Sequence, residues 1–197
     1  RGDGGILINA EGKRFTNELL TRDVVSAAEL KQPGRFAWVF WDDATRKSAK
    51  LMDSYISMGL AVKGNTVAEI AKAMNVPAAE LEVTLKAYAA GKAAGKDAFG
   101  RADMPQAMQT APFFAVKVQP AVHHTMGGIK IDPLTQVYNT KGQVIPGLFA
   151  AGEVTGGVHG GNRLGGNAQA DIVTFGRIAG EQAYIFAKQL DAAQAKK

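Results

Sequence analysis

The chain reads as an α+β fold, and three features of its pattern say so. Short apolar runs of strand length, Gly4 to Asn9 (GGILIN), Phe36 to Trp41 (FAWVFW) and Phe113 to Gln119 (FFAVKVQ), are separated by segments of helical period. Two such segments lie between Thr66 and Ala90, and a long one opens at Asn167. Between the last short strand, which ends in Ala151-Gly152-Glu153, and that long segment sits a glycine-dense loop with one His and one Arg. Glycine removes the Cβ that would hold a ligand off the backbone, and amides at the following helix start carry partial positive charge. The loop therefore suits an anionic or electron-rich group.

From the start, GGILIN is a strand, Ala10 to Lys13 a tight turn, and Arg14 to Glu18 the return strand of a hairpin. Thr21-Arg22-Asp23 leads into a helix over Val24 to Lys31, with Thr21 or Asp23 as its cap. Arg22 thus stands at a helix N-terminus, where the dipole disfavours a cation unless something else requires it there. Pro33-Gly34 ends that helix, FAWVFW is a buried strand, and one helix follows from Asp42-Asp43 through Met52. Thr66 to Glu69 has the form of a capping box, with Ile70, Ala73 and Met74 as the apolar face behind it. Asn75-Val76-Pro77 separates this helix from a second over Ala78 to Ala90, with Leu81, Leu85 and Tyr88 on one side. Gly91 to Met104 is rich in glycine and charge, the composition of a mobile loop.

The strand FFAVKVQ carries the chain to His123-His124-Thr125-Met126-Gly127-Gly128. Adjacent side chains on a strand face opposite ways, so the two histidines cannot easily share one metal ion, and different roles are expected of them. A hairpin over Ile129 to Asp132 and Gln136 to Tyr138 then precedes the glycine loop. In the last helix Ile172, Phe175, Ile178, Ala179, Ala183 and Phe186 form the inward stripe, and Gly176 and Gly180 invite close packing. The Ala-, Gln- and Lys-rich tail after Leu190 is expected to fray.

Composition narrows the function. Of 197 residues, 46% are hydrophobic, ordinary for a globular core, and the net charge is +5. Lys and Arg are scattered, without the clustered stripe of a nucleic-acid surface. With no cysteine, the chain has no disulfide, no thiolate metal site and no attached c-type haem. No apolar run approaches the roughly 20 residues that span a bilayer, and no signal peptide is visible. The opening at Arg1, within a motif, reads as a segment of a longer polypeptide.

The residues alone leave two readings of the chemistry open. Arg163, a histidine and helix-end amides, with His123 nearby, would make a pocket for a carboxylate: Arg offers a bidentate fork and His a second charge-assisted donor. Alternatively, Arg163 caps its loop and His123 is a satisfied interior histidine.

The wording of two stretches goes further. AVHHTMGGIKID followed by GLFAAGEVTGGVHGGNRLGGNA, with RGDGGILINAEGKRFTNELLTRD at the start, resembles the C-terminal part of the flavoprotein subunits of the fumarate reductase and succinate dehydrogenase family. The similarity is greatest to the soluble flavocytochrome c fumarate reductases. It implies that residues 1–124 are the later part and junction of an inserted capping domain, and residues 125–197 the C-terminal segment of a Rossmann-like FAD-binding domain. It also implies non-covalent FAD, with haem only on a part outside this chain, and a periplasmic location.

The resemblance assigns residues one by one. His123 and Arg163 match ligands of the substrate carboxylate, Arg22 the proposed general acid, and Arg1 a member of the proton path feeding it. Glu153 matches the carboxylate that binds the FAD ribose, Gly165, Gly166, Asn167 and Ala168 the segment facing the flavin N1/O2 edge, and His124 a residue touching the flavin. No metal ligands are expected. The implied reaction is reduction of fumarate to succinate, with hydride from flavin N5 and a proton from Arg22. The pyrophosphate site and the acidic partner of Arg1 are expected on polypeptide outside this chain, covalently joined or as a second chain, and electrons from a donor such as a cytochrome. Reduction of another enoate, urocanate- or acrylate-like, and a non-catalytic fragment remain as alternatives; ketosteroid dehydrogenation is disfavoured by the carboxylate-binding pair.

Overall fold

A computed structural model describes residues 1–195, which form two compact units, one over 1–121 and one from Val122 onward. In the first, β1 (Ile6–Ile8), β2 (Ala37–Asp42), β3 (Ala61–Gly64) and β4 (Phe113–Val118) make one antiparallel sheet in the order β1-β2-β4-β3. Both faces of this sheet are covered, which explains why β2 is apolar at nearly every position instead of alternating. Trp38 and Phe40 point to the face covered by α4 (Val67–Met74) and α5 (Ala78–Ala94), joining Ile6, Ile8, Ile70, Leu81, Leu85, Tyr88 and Phe113. Trp41, one residue on, points the other way and packs with Phe114, Ala49 and Met52 under α3 (Leu51–Ser57). The cross-strand partners Trp41 and Phe114 stack with ring centroids 5.9 Å apart.

Several expectations need correction. The stretch from Arg14 to Glu18 is not a return strand, and β1 pairs with β2. The reason is in the side chains: Glu18 takes the Leu7 N–H on its own carboxylate at 3.1 Å, so a side chain stands where a hairpin would put a backbone carbonyl. The helix expected through Met52 is two, α2 (Asp43–Ser48) and α3, broken at Ala49, which turns in to the Trp41 cluster. Asp42 caps α2 by accepting from Thr45 N at 2.9 Å. Half of the capping box is formed: the Thr66 hydroxyl accepts from Glu69 N at 3.1 Å, while the Glu69 carboxylate accepts from Asn65 N at 2.8 Å and not from Thr66 N; Ala71 and not Ala73 joins the buried stripe.

The connection after α5 departs furthest from its composition. Here α5 runs on to Ala94, and Asp97 and Arg101 beyond it turn inward. Arg14 reaches across to both Glu18 and Asp97, with side chains 5%, 0% and 2% exposed, and Arg101, fully buried, adds a contact to Glu18 at 3.1 Å and to the Gly5 carbonyl at 2.9 Å. The Arg14 guanidinium also lies over the rings of Tyr88 and Phe99, at 4.8 and 5.1 Å from their centroids.

The second unit is built around the long α6 (Asn167–Gln194). β6 (Gln136–Tyr138) pairs antiparallel with β7 (Val144–Phe149), and β5 (Ile129–Lys130) pairs parallel with β8 (Thr155–Gly156), so the expected β5–β6 hairpin is reduced to a single bridge between Ile131 and Val137. Phe186 of α6 meets Phe149 of β7 edge to face. Phe175, Ile178 and Ala179 are half-buried as the stripe requires, whereas Ile172 and Ala183 are exposed and Gly176 and Gly180 have no close neighbour among the described residues. The tail after Leu190 stays helical through Gln194; Lys196 and Lys197 lie outside the described residues.

Two predictions follow from the ionic cluster. Replacing Glu18 by Ala leaves two buried guanidinium groups short of their counter-charge, which costs about 3–5 kcal/mol; urea unfolding followed by Trp38 and Trp41 fluorescence reads this, and a loss under about 1 kcal/mol would show that the cluster does not hold the sheet. The second concerns acid. Burial pushes the Asp97 carboxyl up, but the Arg14 hydrogen bond and the Arg101 and Phe99 amides outweigh it and hold the group below the usual carboxylate range. A depressed carboxyl contributes stability above its unfolded value, about 3.9, and loses it as pH falls through the folded value. The urea midpoint should therefore fall below about pH 4 more steeply for the wild type than for Asp97→Asn; parallel curves would remove Asp97 from this role.

Candidate functional site

The residues singled out from the sequence fall into two groups, one in each unit. In the first unit Thr21 stands at the N-cap of α1 (Arg22–Leu30), which places Arg22 at its first turn and exposed. The neighbouring Asp23 carboxylate is held below its ordinary value, first by a hydrogen bond with the Thr21 hydroxyl, and so supplies the negative charge this helix end favours. Arg1 donates from Nη1 to the carbonyls of Glu18 and, at 3.3 Å, of Leu20. Its guanidinium lies below its usual value, first because it is partly buried and further because Arg22 is near, with Glu29 and Glu18 opposing. Burial in turn raises the Glu29 carboxyl, and Arg1 partly offsets this. The charges of Arg22 and Glu29 thus both act on the Arg1 guanidinium.

In the second unit the segment from His123 to Gly128 is not a strand, which corrects the reason given for separating the two histidines. The separation itself holds: His123 is exposed, while the His124 side chain is 5% exposed. This segment lies directly on the turn that ends β7. Thr125 N donates to Glu153 Oε1 at 3.0 Å and the Thr125 hydroxyl to the Glu153 carbonyl at 3.1 Å. His124 Nδ1 lies 3.7 Å from Glu153 Oε2. The closeness has a backbone cause. A Cβ on Gly128 would sit 2.2 Å from the Val154 carbonyl oxygen, so the two segments can touch only because residue 128 has no side chain.

From Gly156 the loop carries His159 and Arg163 to α6. Arg163 is buried, and its Nη1 donates to the adjacent Leu164 carbonyl at 3.0 Å. Gly166 caps α6 with φ of 86°, the left-handed conformation that turns the chain into the helix. Asn167 N is engaged by the Leu164 carbonyl at 3.3 Å and Gln169 N by the Gly166 carbonyl at 2.9 Å, so part of the expected amide cradle over Gly165 to Ala168 is used within the turn.

The sequence offers the loop histidine, His159, as a donor to the carboxylate pocket; its pairing with Asp171 was not foreseen. His159 Nε2 lies 2.9 Å from Asp171 Oδ2, and the His159 ring meets the His124 ring edge to face with centroids 5.2 Å apart. Asp171 is buried at the start of α6, four residues before Phe175; a charged residue in register with an apolar stripe was the available signal. The buried cluster of Arg14, Glu18, Asp97 and Arg101 was likewise missed, because its members are distant in sequence.

These groups can hold an electron-rich ligand. His124 Nε2 is buried without a hydrogen-bond partner among the described residues, an atom placed to receive a polar group, and the Glu153 carboxylate is about half exposed, free to accept from a hydroxyl.

Comparison with known proteins locates this arrangement. The FAD binding domain family matches residues 1–168. The chain is 49% identical over 190 residues to a fumarate reductase (cytochrome) of Shewanella frigidimarina, covering 96% of this chain and 33% of that protein. It is 44% identical over 184 residues to an NADH:acrylate oxidoreductase of Vibrio harveyi, covering 90% of this chain and 18% of that protein. It superposes on a flavocytochrome c3 fumarate reductase in its open conformation with a TM-score of 0.79 and 51% identity, over 94% of this chain and 33% of that one. The chain thus spans a third or less of the length of these relatives. It belongs to the FAD binding domain family, which it matches over residues 1–168, and it is similar over most of its own length to fumarate reductase flavoproteins.

Proposed function

We propose that this chain is part of an FAD-dependent fumarate reductase, in which residues 1–124 belong to a capping domain and residues 125–197 to the flavin-binding domain. The observation that carries the reading is the span of the family match, residues 1–168, which includes every residue assigned a role, from Arg1 to Ala168. Glu153, His124 and the backbone of Gly165, Gly166, Asn167 and Ala168 would hold FAD non-covalently, and the chemistry it would supply there is hydride donation to one alkene carbon. The unpartnered His124 Nε2 and the half-exposed Glu153 carboxylate support this assignment.

Arg163 and His123 hold a substrate carboxylate. A fixed guanidinium with a second charged donor stabilises negative charge as it develops, an effect worth several kcal/mol by order of magnitude. Arg22 gives the proton to the second alkene carbon, and Arg1 returns a proton to Arg22. An arginine is an unusual acid, since its pKa is above about 12, and it works only against a strong transient base with a second donor close behind. The charge of Arg22, which helps to lower the Arg1 guanidinium from its usual value, supports that pairing. Polypeptide beyond this chain supplies the pyrophosphate site, and a donor such as a cytochrome the electrons; any haem lies outside this chain. The periplasm is the proposed location, and no helix among the described residues is long and apolar enough to cross a membrane.

The acrylate-reducing Vibrio relative favours a second reading, another enoate as substrate, because one carboxylate suffices for Arg163 and His123. Reoxidation of a reduced viologen dye by fumarate or acrylate, using the flavin-loaded protein, separates the two. Fumarate-driven reoxidation that Arg22→Ala abolishes, with fumarate affinity within about twofold of wild type, is the expected result. A variant keeping more than about a tenth of the rate would remove Arg22 from the acid role, and reoxidation by acrylate alone would move the substrate.

A further inference from the structure

His159 and Asp171 have no place in the assignments above, yet they form a short side-chain hydrogen bond in the second unit, with side chains 9% and 2% exposed. Burying such a pair is unfavourable unless its partners are fixed, so their position carries information. Asp171 stands on the first turn and a half of α6, on the rigid element of the unit. His159 stands in the middle of the glycine loop, where Gly157, Gly160, Gly161, Gly165 and Gly166 leave the backbone with few constraints of its own. A carboxylate oxygen accepts, so Nε2 of His159 donates, which fixes the ring's orientation. The opposite side of the anchor is the His124 ring, 5.2 Å away and edge to face, on the segment that also carries His123.

We propose that His159 and Asp171 are a positioning pair: the bond pins the glycine loop to α6 and, through the His124 ring, holds the two segments that bear Arg163 and His123 in fixed register. Neither residue touches the substrate. The inference rests on the reading of Arg163 and His123 as carboxylate ligands, but the pinning itself does not. Without the pair, a buried side-chain tether between the loop and the helix is gone, and the segment that bears Arg163 must be ordered by the substrate at the cost of affinity.

The test uses the flavin-loaded protein with Asp171→Leu, His159→Phe and the double variant. Leu and Phe keep the approximate volume of the two side chains but can neither accept nor donate, so each removes the bond, and flavin content reports whether each variant folds. Amide hydrogen exchange reads the loop directly, and malonate, a dicarboxylate with no alkene to reduce, reads the carboxylate site by titration against the flavin spectrum. The expected result is exchange about tenfold faster over residues 157–166 in each single variant, and malonate bound about tenfold more weakly at unchanged flavin content. The double variant should be no worse than the worse single one, since the two residues act as one unit. Exchange within about twofold of wild type in both single variants overturns the pinning. Fast loop exchange with wild-type malonate affinity overturns the link to Arg163. If the wild type itself binds no malonate while the variants exchange faster, the pinning stands and the carboxylate reading falls.

Discussion

The first unit depends on a single carboxylate. Glu18 accepts Leu7 N–H and both Arg14 and Arg101, while its backbone carbonyl accepts from Arg1. Through Arg101 it reaches the Gly5 carbonyl just before β1, and through Arg14 it reaches Asp97 beyond α5. A buried ion cluster contributes little to stability when compared with apolar residues of the same volume, but it is intolerant of losing one partner. What it provides here is registration. Three stretches far apart in sequence, around β1, after the first turn and after α5, have one arrangement that satisfies all the charges, and Arg1 hangs from the same residue.

The second unit solves the equivalent problem with backbone. The segment from His123 to Gly128 runs against Val154 and Thr155 so closely that neither Gly128 nor Gly156 has room for a Cβ. Thr125 then bonds Glu153 twice, once through its amide and once through its hydroxyl. Side-chain charge specifies one unit and absent side chains the other, and both kinds of constraint are strict because neither can be met approximately. A guanidinium that loses a carboxylate, or a Cβ placed 2.2 Å from a carbonyl oxygen, forces the chain to move.

What the sequence made legible follows from how local each signal is. The Thr66 cap, the start of α1 after Thr21, the apolar run of β2 and the opening of α6 at Asn167 depend on neighbours within a few residues and are present, although Thr21 makes no side-chain cap bond. The hairpin over Arg14 to Glu18 failed because turn chemistry at Glu11-Gly12 says that the chain turns, not what it pairs with afterwards; Glu18 itself fills the place of the partner strand. The stretch after Gly91 looked like loop because charge and glycine were read as solvent exposure, and only the partners of Asp97 and Arg101, some 80 residues away, turn them inward. In the candidate site His124, Glu153 and Arg163 were visible through the wording of two motifs. The pairing of His159 with Asp171 was not, since a His in a glycine loop and an Asp on a helix acquire that meaning only when the fold puts them 2.9 Å apart.

The proposed use of arginine as a proton donor sets a demand that the first unit's electrostatics address. Proton transfer along a chain is efficient when successive groups have similar affinities for the proton, and an exposed arginine beside an exposed carboxyl is far from that condition, with about 8 units between them. Around Arg1 the two values move toward each other. Burial and the nearby Arg22 lower the guanidinium, and burial raises the Glu29 carboxyl. The same desolvation does both, because it penalises whichever form is charged, cation or anion alike. Hydrogen bonds from Arg1 to two carbonyls, not to a carboxylate, keep this effect: a direct ion pair would stabilise both charges and widen the gap again. A relay through Arg1 thus favours a half-buried arginine with carbonyl partners and an acid at a remove, and that is the setting Glu18, Leu20 and Glu29 provide.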